Sequence, residues 1–159
     1  MTLRIVAFEP ALRSHFERLN REWLERLFKV EPIDAAVLAD PETSILAGGG
    51  RILFAMLGDE VVGAVALKQE SPGVYELTKM AITERHQGGG HGRQLLDAAV
   101  AEFQRIDGAT TLFLETNSVL KPAISLYERA GFEHHGRKPD SHYERSDVYM
   151  VWRAPTDAV

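Results

Sequence analysis

Four glycines fall within five residues at Gly88-Gly89-Gly90-His91-Gly92, and this stretch constrains the chain more than any other. The run Gln87-Gly-Gly-Gly-His-Gly-Arg93 follows a strand-like segment, Val74 to Ile82, and opens a segment whose Leu95, Leu96, Ala99, Val100, Phe103 and Ile106 recur at helical spacing. Glycines there let backbone N–H groups turn inward with no Cβ in the way. Free N–H groups at a helix N-terminus, backed by the helix dipole, make an anion site suited to a phosphate or pyrophosphate. Two other glycine loops are excluded by spacing. A dinucleotide fingerprint G-x-G-x-x-G fails because the third glycine falls on Arg93 or Leu95, and no G-x-x-x-x-G-K-[S/T] string exists. Arg85, His86, His91 and Arg93 add positive charge nearby. The plain alternative is a flexible strand-to-helix turn that holds no ligand.

The remainder of the chain sets this loop in a mixed sheet. Ile5 to Phe8 reads as a first strand. Pro10 to about Val30 reads as one or two helices with Leu12, Phe16, Leu19, Trp23, Leu24 and Leu27 on one stripe, and Ile33 to Leu38 as a further short helix. After Gly48-Gly49-Gly50, a loop that could also hinge a lid, Arg51–Leu57, Val61–Leu67 and Val74–Ile82 form a meander joined by short turns, which predicts antiparallel pairing. The glycine loop and its helix follow, then a strand at Thr110–Leu114, a helix at Pro122–Ala130 stopped by Gly131, and a last strand near Asp147–Trp152. Alternation of strand and helix in this second half predicts parallel pairing. The fold class expected is therefore α+β, a mixed and mostly antiparallel sheet with helices on both faces.

With 159 residues, one domain over 1–159 is the expectation, and no cysteine is present to form a disulfide, an acyl-enzyme or a cysteine-ligated metal site. A formal charge of −5 without a basic block argues against nucleic acid and against an anionic membrane surface. No apolar run approaches the ~20 residues that span a bilayer, and a soluble cytoplasmic protein is the default.

Glu76-Leu-Thr-Lys-Met-Ala-Ile-Thr83 followed by Gln87-x-x-Gly90-x-Gly92 resembles motif A of the GNAT acetyltransferase superfamily, (Gln/Arg)-x-x-Gly-x-(Gly/Ala). Leu114-Glu-Thr-Asn117 and Leu126-Tyr-Glu-Arg-Ala-Gly-Phe132 resemble its motif B. The resemblance covers about residues 61–132. It implies a three-layer fold whose strand before the loop splays from its neighbour, and acetyl-CoA as cosubstrate. Met80, Ala81 and Ile82 would pair their backbone with the pantetheine arm. The amides of Gly88, Gly89, Gly90, His91, Gly92 and Arg93, behind Gln87, would hold the pyrophosphate. His91 departs from the family pattern, which often has an aliphatic residue there; its ring is expected to face solvent, the alternative being contact with a phosphate. Dimers are common among similar proteins, so a homodimer stays open.

Acetyl transfer to an amine needs a base, a polarised thioester carbonyl and an acid for the leaving sulfur. The resemblance places Tyr127 as that acid, although Tyr127 also shares a helix face with Ala123, Ile124 and Ala130 and so reads equally as core. Glu76, sharing a strand face with Thr78 and Met80 if the strand is regular, is the candidate base, its pKa raised by partial burial. Glu115 on the next strand is the rival, and water is a third possibility. Asn117 would bond the CoA arm or cap the following helix. The six histidines show no metal pattern, and His134, His135 and His142 read as an exposed polar loop. Trp23 and Phe28 read as core, some of these N-terminal apolar residues lining the acceptor pocket. The expected activity is an N-acetyltransferase acting on a small-molecule or protein amine by direct attack; the alternative is a catalytically silent acyl-CoA-binding module.

Overall fold

The computed structural model describes residues 2–154, so the domain bounds expected at 1 and 159 lie outside the described residues. In chain order the elements are β1 (Leu3–Ala7), α1 (Arg13–Leu27), α2 (Pro32–Ala39), β2 (Arg51–Leu57), β3 (Glu60–Ser71), β4 (Val74–Ile82), α3 (His91–Gln104), β5 (Thr111–Thr116), α4 (Lys121–Ala130), β6 (Phe132–His134) and β7 (Val148–Trp152). The strands form one seven-stranded sheet in the order β1-β2-β3-β4-β5-β7-β6.

β2 to β4 form the expected antiparallel meander, and β1 pairs antiparallel with β2 at its edge. Parallel pairing in the second half holds only for β4 with β5; β5 with β7 and β6 with β7 are antiparallel. The error has a simple source. Gly131 ends α4 in the left-handed region at φ 108°, and the three-residue β6 that follows at once is too short to show a period. That unforeseen strand turns the chain back, and the long loop after it delivers β7 between β5 and β6, antiparallel to both.

The two faces of the sheet hold separate cores. On one, Leu95, Leu96, Ala99, Val100 and Phe103 of α3 pack on Leu53, Val65, Leu67, Leu77 and Leu112. On the other, Phe16, Leu19 and Leu24 of α1 and Val37 and Leu38 of α2 pack on Ile52, Phe54, Val61 and Ala64. α2 begins on a capping box: Pro32 takes the first turn, Glu31 caps, and the Glu31 N–H donates to Asp34 Oδ2 at 3.0 Å. The Gly48–Gly50 segment is a tight corner, because a Cβ on Gly50 would lie 2.4 Å from the Leu67 carbonyl oxygen and 2.6 Å from that of Ile45.

Candidate active site

Gly88 and Gly90 sit at φ 84° and 83°, conformations that side-chain-bearing residues rarely adopt, and Gly90 is the cap from which α3 starts. The Gln87 side-chain amide donates to the Ile82 carbonyl at 2.9 Å and closes the loop onto the end of β4. None of the six amides from Gly88 to Arg93 donates to another described residue. They are the unsatisfied donors of a helix N-terminus, with the positive end of the α3 dipole behind them. A Cβ on Gly92 would stand 3.5 Å from Leu126 and 3.9 Å from Met80 and Ile82, so α3 crosses close over β4 and α4 at this point.

The side-chain charge expected around the loop is directed elsewhere. Arg85 pairs with Glu60, and Arg93 Nε pairs with Asp97 Oδ1 at 2.9 Å. His91 does not face solvent as expected. It is half-buried, curled over Gly89, and edge-on to His86 with ring centroids 6.4 Å apart. His91 Nδ1 and His86 Nε2 are buried without a hydrogen bond; His86 Nε2 lies 3.4 Å from Glu60 Oε1 outside hydrogen-bonding geometry.

β4 and β5 pair over three residues only, Val74 to Glu76 against Thr111 to Phe113. Beyond Glu76 the strands part, and the β5-facing edge of β4 from Leu77 to Ile82 has no strand partner. Within this free stretch lies a β-bulge: the register with β3 passes from Ala66↔Thr78 to Ala64↔Ala81, so Lys79 and Met80 together oppose Val65. Lys79 occupies the left-handed region at φ 54°, the one non-glycine residue that does so among those described. The bulge changes which residues share a face. Tyr75 and Leu77 face α3, and after it so do Met80 and Ile82, whereas Ala81 joins the α1/α2 core. Met80 is therefore not on the face of Glu76, as a regular strand would have it.

A cleft of ≈ 500 Å³ opens where the strands part. Met80, Ala81, Ile82, Gln87, Gly88, Gly92, Asn117 and Tyr127 line it, together with Glu76 and Glu115; Gly89, Gly90, His91 and Arg93 lie just outside it along the loop and the first turn of α3. Glu76 is only 5% exposed, and no hydrogen bond from a described residue reaches its carboxyl. Burial pushes this group up; Lys79 and Lys68 pull it down, Glu115 and Glu70 raise it further, and it settles at about 7. Glu115, the rival, accepts a hydrogen bond from Ser146 Oγ at 3.0 Å. Tyr127 packs edge-on against Phe132 at 5.9 Å within the α3-side core, and it also lines the cleft. Burial pushes its phenol up to about 12.

Asn117 is not the helix cap; that position is Leu120. Its Nδ2 donates to the Arg145 carbonyl at 2.6 Å, while its Oδ1 accepts from the Val119 N–H at 2.9 Å. It ties the β5–α4 turn to the loop before β7. Trp23 and Phe28 pack edge-on at the end of α1 and line the cleft.

One feature of the site was invisible in the motifs. Asp34, fully buried, accepts from Lys79 Nζ at 2.9 Å and from both terminal nitrogens of Arg145 at 2.7 and 2.8 Å. Arg145 also reaches Glu31 at 3.1 Å, and Lys79 and Arg145 lie 4.8 and 4.9 Å from the centroid of the Tyr143 ring. Burial pushes Asp34 up, but the hydrogen bonds and charges of Arg145 and Lys79 outweigh it and hold the carboxyl at about 2. The partners come from α2, the β4 bulge and the loop before β7, 45 to 111 residues apart. The only sequence signal was local, the Glu31-Pro-Ile-Asp34 helix start. His134 pairs with Glu128 and His142 with Glu70, and no group of three or more metal-ligating side chains is found among the described residues.

Residues 11–132 match the model of the acetyltransferase (GNAT) family. The chain belongs to this family. Among its GNAT relatives are an uncharacterized N-acetyltransferase of Bacillus subtilis, YvbK, 31% identical over 105 residues, and N-acetyltransferase family 8 member 2 of Rattus norvegicus, 34% identical over 106. Each match covers 64% of this chain; it spans 67% of the Bacillus protein and 46% of the rat one, so the chain corresponds to less than half of the latter. A GNAT acetyltransferase from Staphylococcus aureus Mu50 superposes with a TM-score of 0.82 at 18% identity, covering 95% of this chain and 98% of that one. YncA of Salmonella typhimurium, solved with its cofactor acetyl-CoA, superposes at 0.77 with 18% identity, covering 100% and 98%. These likenesses establish the mixed, mostly antiparallel GNAT sheet as this chain's fold. No helix among the described residues is long and apolar enough to cross a membrane.

Proposed function

We propose that the chain is an acetyl-CoA-dependent N-acetyltransferase that moves the acetyl group directly to a primary amine. The observation that carries this reading is a convergence. The unpartnered edge of β4 and a buried carboxyl with no hydrogen bond open on one cleft, and the row of six free amides at the start of α3 borders it, Gly88 and Gly92 on its wall. The donors suit the cosubstrate: amides for a pyrophosphate, a bare strand edge for an amide-bearing arm, and the apolar walls Leu126, Pro122 and Leu120 for its methylenes.

Bound there, acetyl-CoA supplies a thioester carbonyl open to attack. Glu76, poised near neutrality, takes a proton from the acceptor nitrogen as the C–N bond forms. N–H groups of the free strand edge, near Ala81, polarise the carbonyl. Tyr127, held protonated across the working pH range, gives its proton to the sulfur as the C–S bond breaks. With no cysteine in the chain, no cysteinyl acyl-enzyme intervenes. Asn117 supports the cofactor side by fixing the β5–α4 turn. The acceptor, a small-molecule or protein amine, enters past Trp23 and Phe28.

The thermal unfolding midpoint measured against acetyl-CoA, with ADP and free CoA as controls, tests the site. A ligand at 100 times its Kd adds about 2.7 kcal/mol, or several degrees for a domain of this size. A saturable shift larger than that of ADP is expected, followed by thiol release on a panel holding an α-amino acid, a polyamine, an arylalkylamine and a lysyl peptide. No shift at millimolar acetyl-CoA overturns the cofactor site. A shift without thiol release from any amine replaces the enzyme with an acyl-CoA-binding module.

A further inference from the structure

The acid–base scheme makes no use of Lys79, yet its side chain is firmly held. Its side chain is 2% exposed, its ammonium bonds Asp34 at 2.9 Å, and the Tyr143 ring covers it at 4.8 Å. A left-handed backbone on a long side chain costs about 1–3 kcal/mol and persists only where its surroundings over-determine it. Glycine would occupy φ 54° without that cost and would pack as a bulge equally well. The side chain is what the position retains, and burying an ammonium is itself unfavourable without a partner.

The partner is already supplied with another cation. Asp34 receives a two-pronged bond from Arg145, and Glu31 adds a second carboxylate to Arg145. Two buried acids, Asp34 and Glu31, stand against two bases, Lys79 and Arg145. Taking away Lys79 leaves the cluster one negative charge in excess beside the cleft. Meanwhile Lys79 lies three residues along β4 from Glu76, at the bulge where the strand runs free of β5.

We propose that Lys79 is a positioning residue for the transfer: clamped by Asp34 and Tyr143 on the left-handed bulge, it fixes the course of β4 past its last rung with β5 and sets a positive charge beside Glu76. This rests on the reading of Glu76 as the base. The other charged or titratable groups within reach of Glu76 are Lys68 and Glu70 on β3, Glu115 on β5, and Tyr143 in the loop before β7. Substitution at Lys79 removes none of these charges. The cluster also joins α2, β4 and the loop before β7 at one point, so the wall carrying Trp23 and the strand carrying Glu76 are held in one frame.

The experiment follows the Glu76 carboxyl directly in the full-length chain by ¹³C NMR of glutamate-labelled protein, assigned by the resonance lost in Glu76→Gln. In Lys79→Met the midpoint moves to higher pH than in the wild type, and Lys79→Arg restores it. The acid limb of kcat against pH, taken with the best amine of the panel, moves with it; each unit of displacement lowers the rate below the limb by about tenfold. Should Lys79→Met fail to fold, Lys79→Gly removes the charge and relieves the backbone strain, and the same rise is expected. A Glu76 midpoint unmoved in a folded, acetyl-CoA-binding variant overturns the role of Lys79. Full turnover by Glu76→Gln instead overturns the assignment of the base, so the two failures are told apart.

Discussion

The two faces of the sheet are built on different rules. Under α3 the core is aliphatic and aromatic throughout, and the polar atoms it holds belong to tyrosine rings. Under α1 and α2 the apolar core adjoins a buried set of Asn20, Glu31, Asp34, Glu76 and Lys79. The first face is the ordinary outcome of hydrophobic burial. The second sets charges where desolvation opposes them, and it does so beside the cleft. Fold-stabilising rules are broken on the side where the proposed chemistry needs a carboxyl of unusual acidity and a strand of unusual course.

The largest test sets one substitution from each face side by side. Asp34→Ala leaves Lys79 and Arg145 buried without their shared partner, which costs about 3–5 kcal/mol. Leu96→Ala under α3 costs about 2–5 kcal/mol through its cavity. Their pH dependence separates them. Asp34 is depressed to about 2, so its contribution is complete above the ordinary carboxylate value near 4 and is lost as pH falls through 2. The loss from Asp34→Ala thus shrinks in acid, as urea titrations at pH 7 and pH 2.5 will show, while that from Leu96→Ala does not.

Glu76 gives the opposite sign. Its acid is raised to about 7, so wild-type stability declines as pH rises from about 4.5 through 7. Glu76→Gln is therefore more stable than wild type at pH 8, by on the order of 2–3 kcal/mol, and matches it at pH 4. The same change lowers kcat/KM by about 100-fold or more. A variant that melts higher and works worse marks Glu76 as held for function rather than for the fold. Tyr127→Phe, on the far wall, lowers kcat by at least about tenfold with acetyl-CoA affinity unchanged; equal turnover numbers sink the acid assignment. The smallest effect is expected at the loop, where Gly90→Ala forces a Cβ into φ 83° and costs about 1 kcal/mol of stability, read as a small drop in midpoint.

What could be read in advance divides along the same line. The α3 face, the meander and the glycine loop followed from periodicity and turn chemistry, because each is decided by residues near one another in sequence. The Glu31–Asp34 helix start was readable for the same reason, but the use Asp34 is put to was not, since its partners Lys79 and Arg145 arrive from distant parts of the chain. The bulge at Lys79 hid itself too: nothing in Thr-Lys-Met announces a left-handed lysine, and with it went the face assigned to Met80. β6 was lost to its length, and His91 to the neighbour His86, whose ring gives it something other than water to lie against.

The seam between β4 and β5 is three rungs long, against seven between β2 and β3. Mechanically the sheet is thus two rafts, a four-stranded one ending at β4 and a three-stranded one beginning at β5, lashed together at one end and gaping at the other. A ligand arm laid along the bare edge of β4, as the proposed function has it, would supply rungs the protein lacks. On that reading the stiffness of the whole sheet and the occupancy of its cleft are one quantity, and the substrate serves while bound as a missing strand.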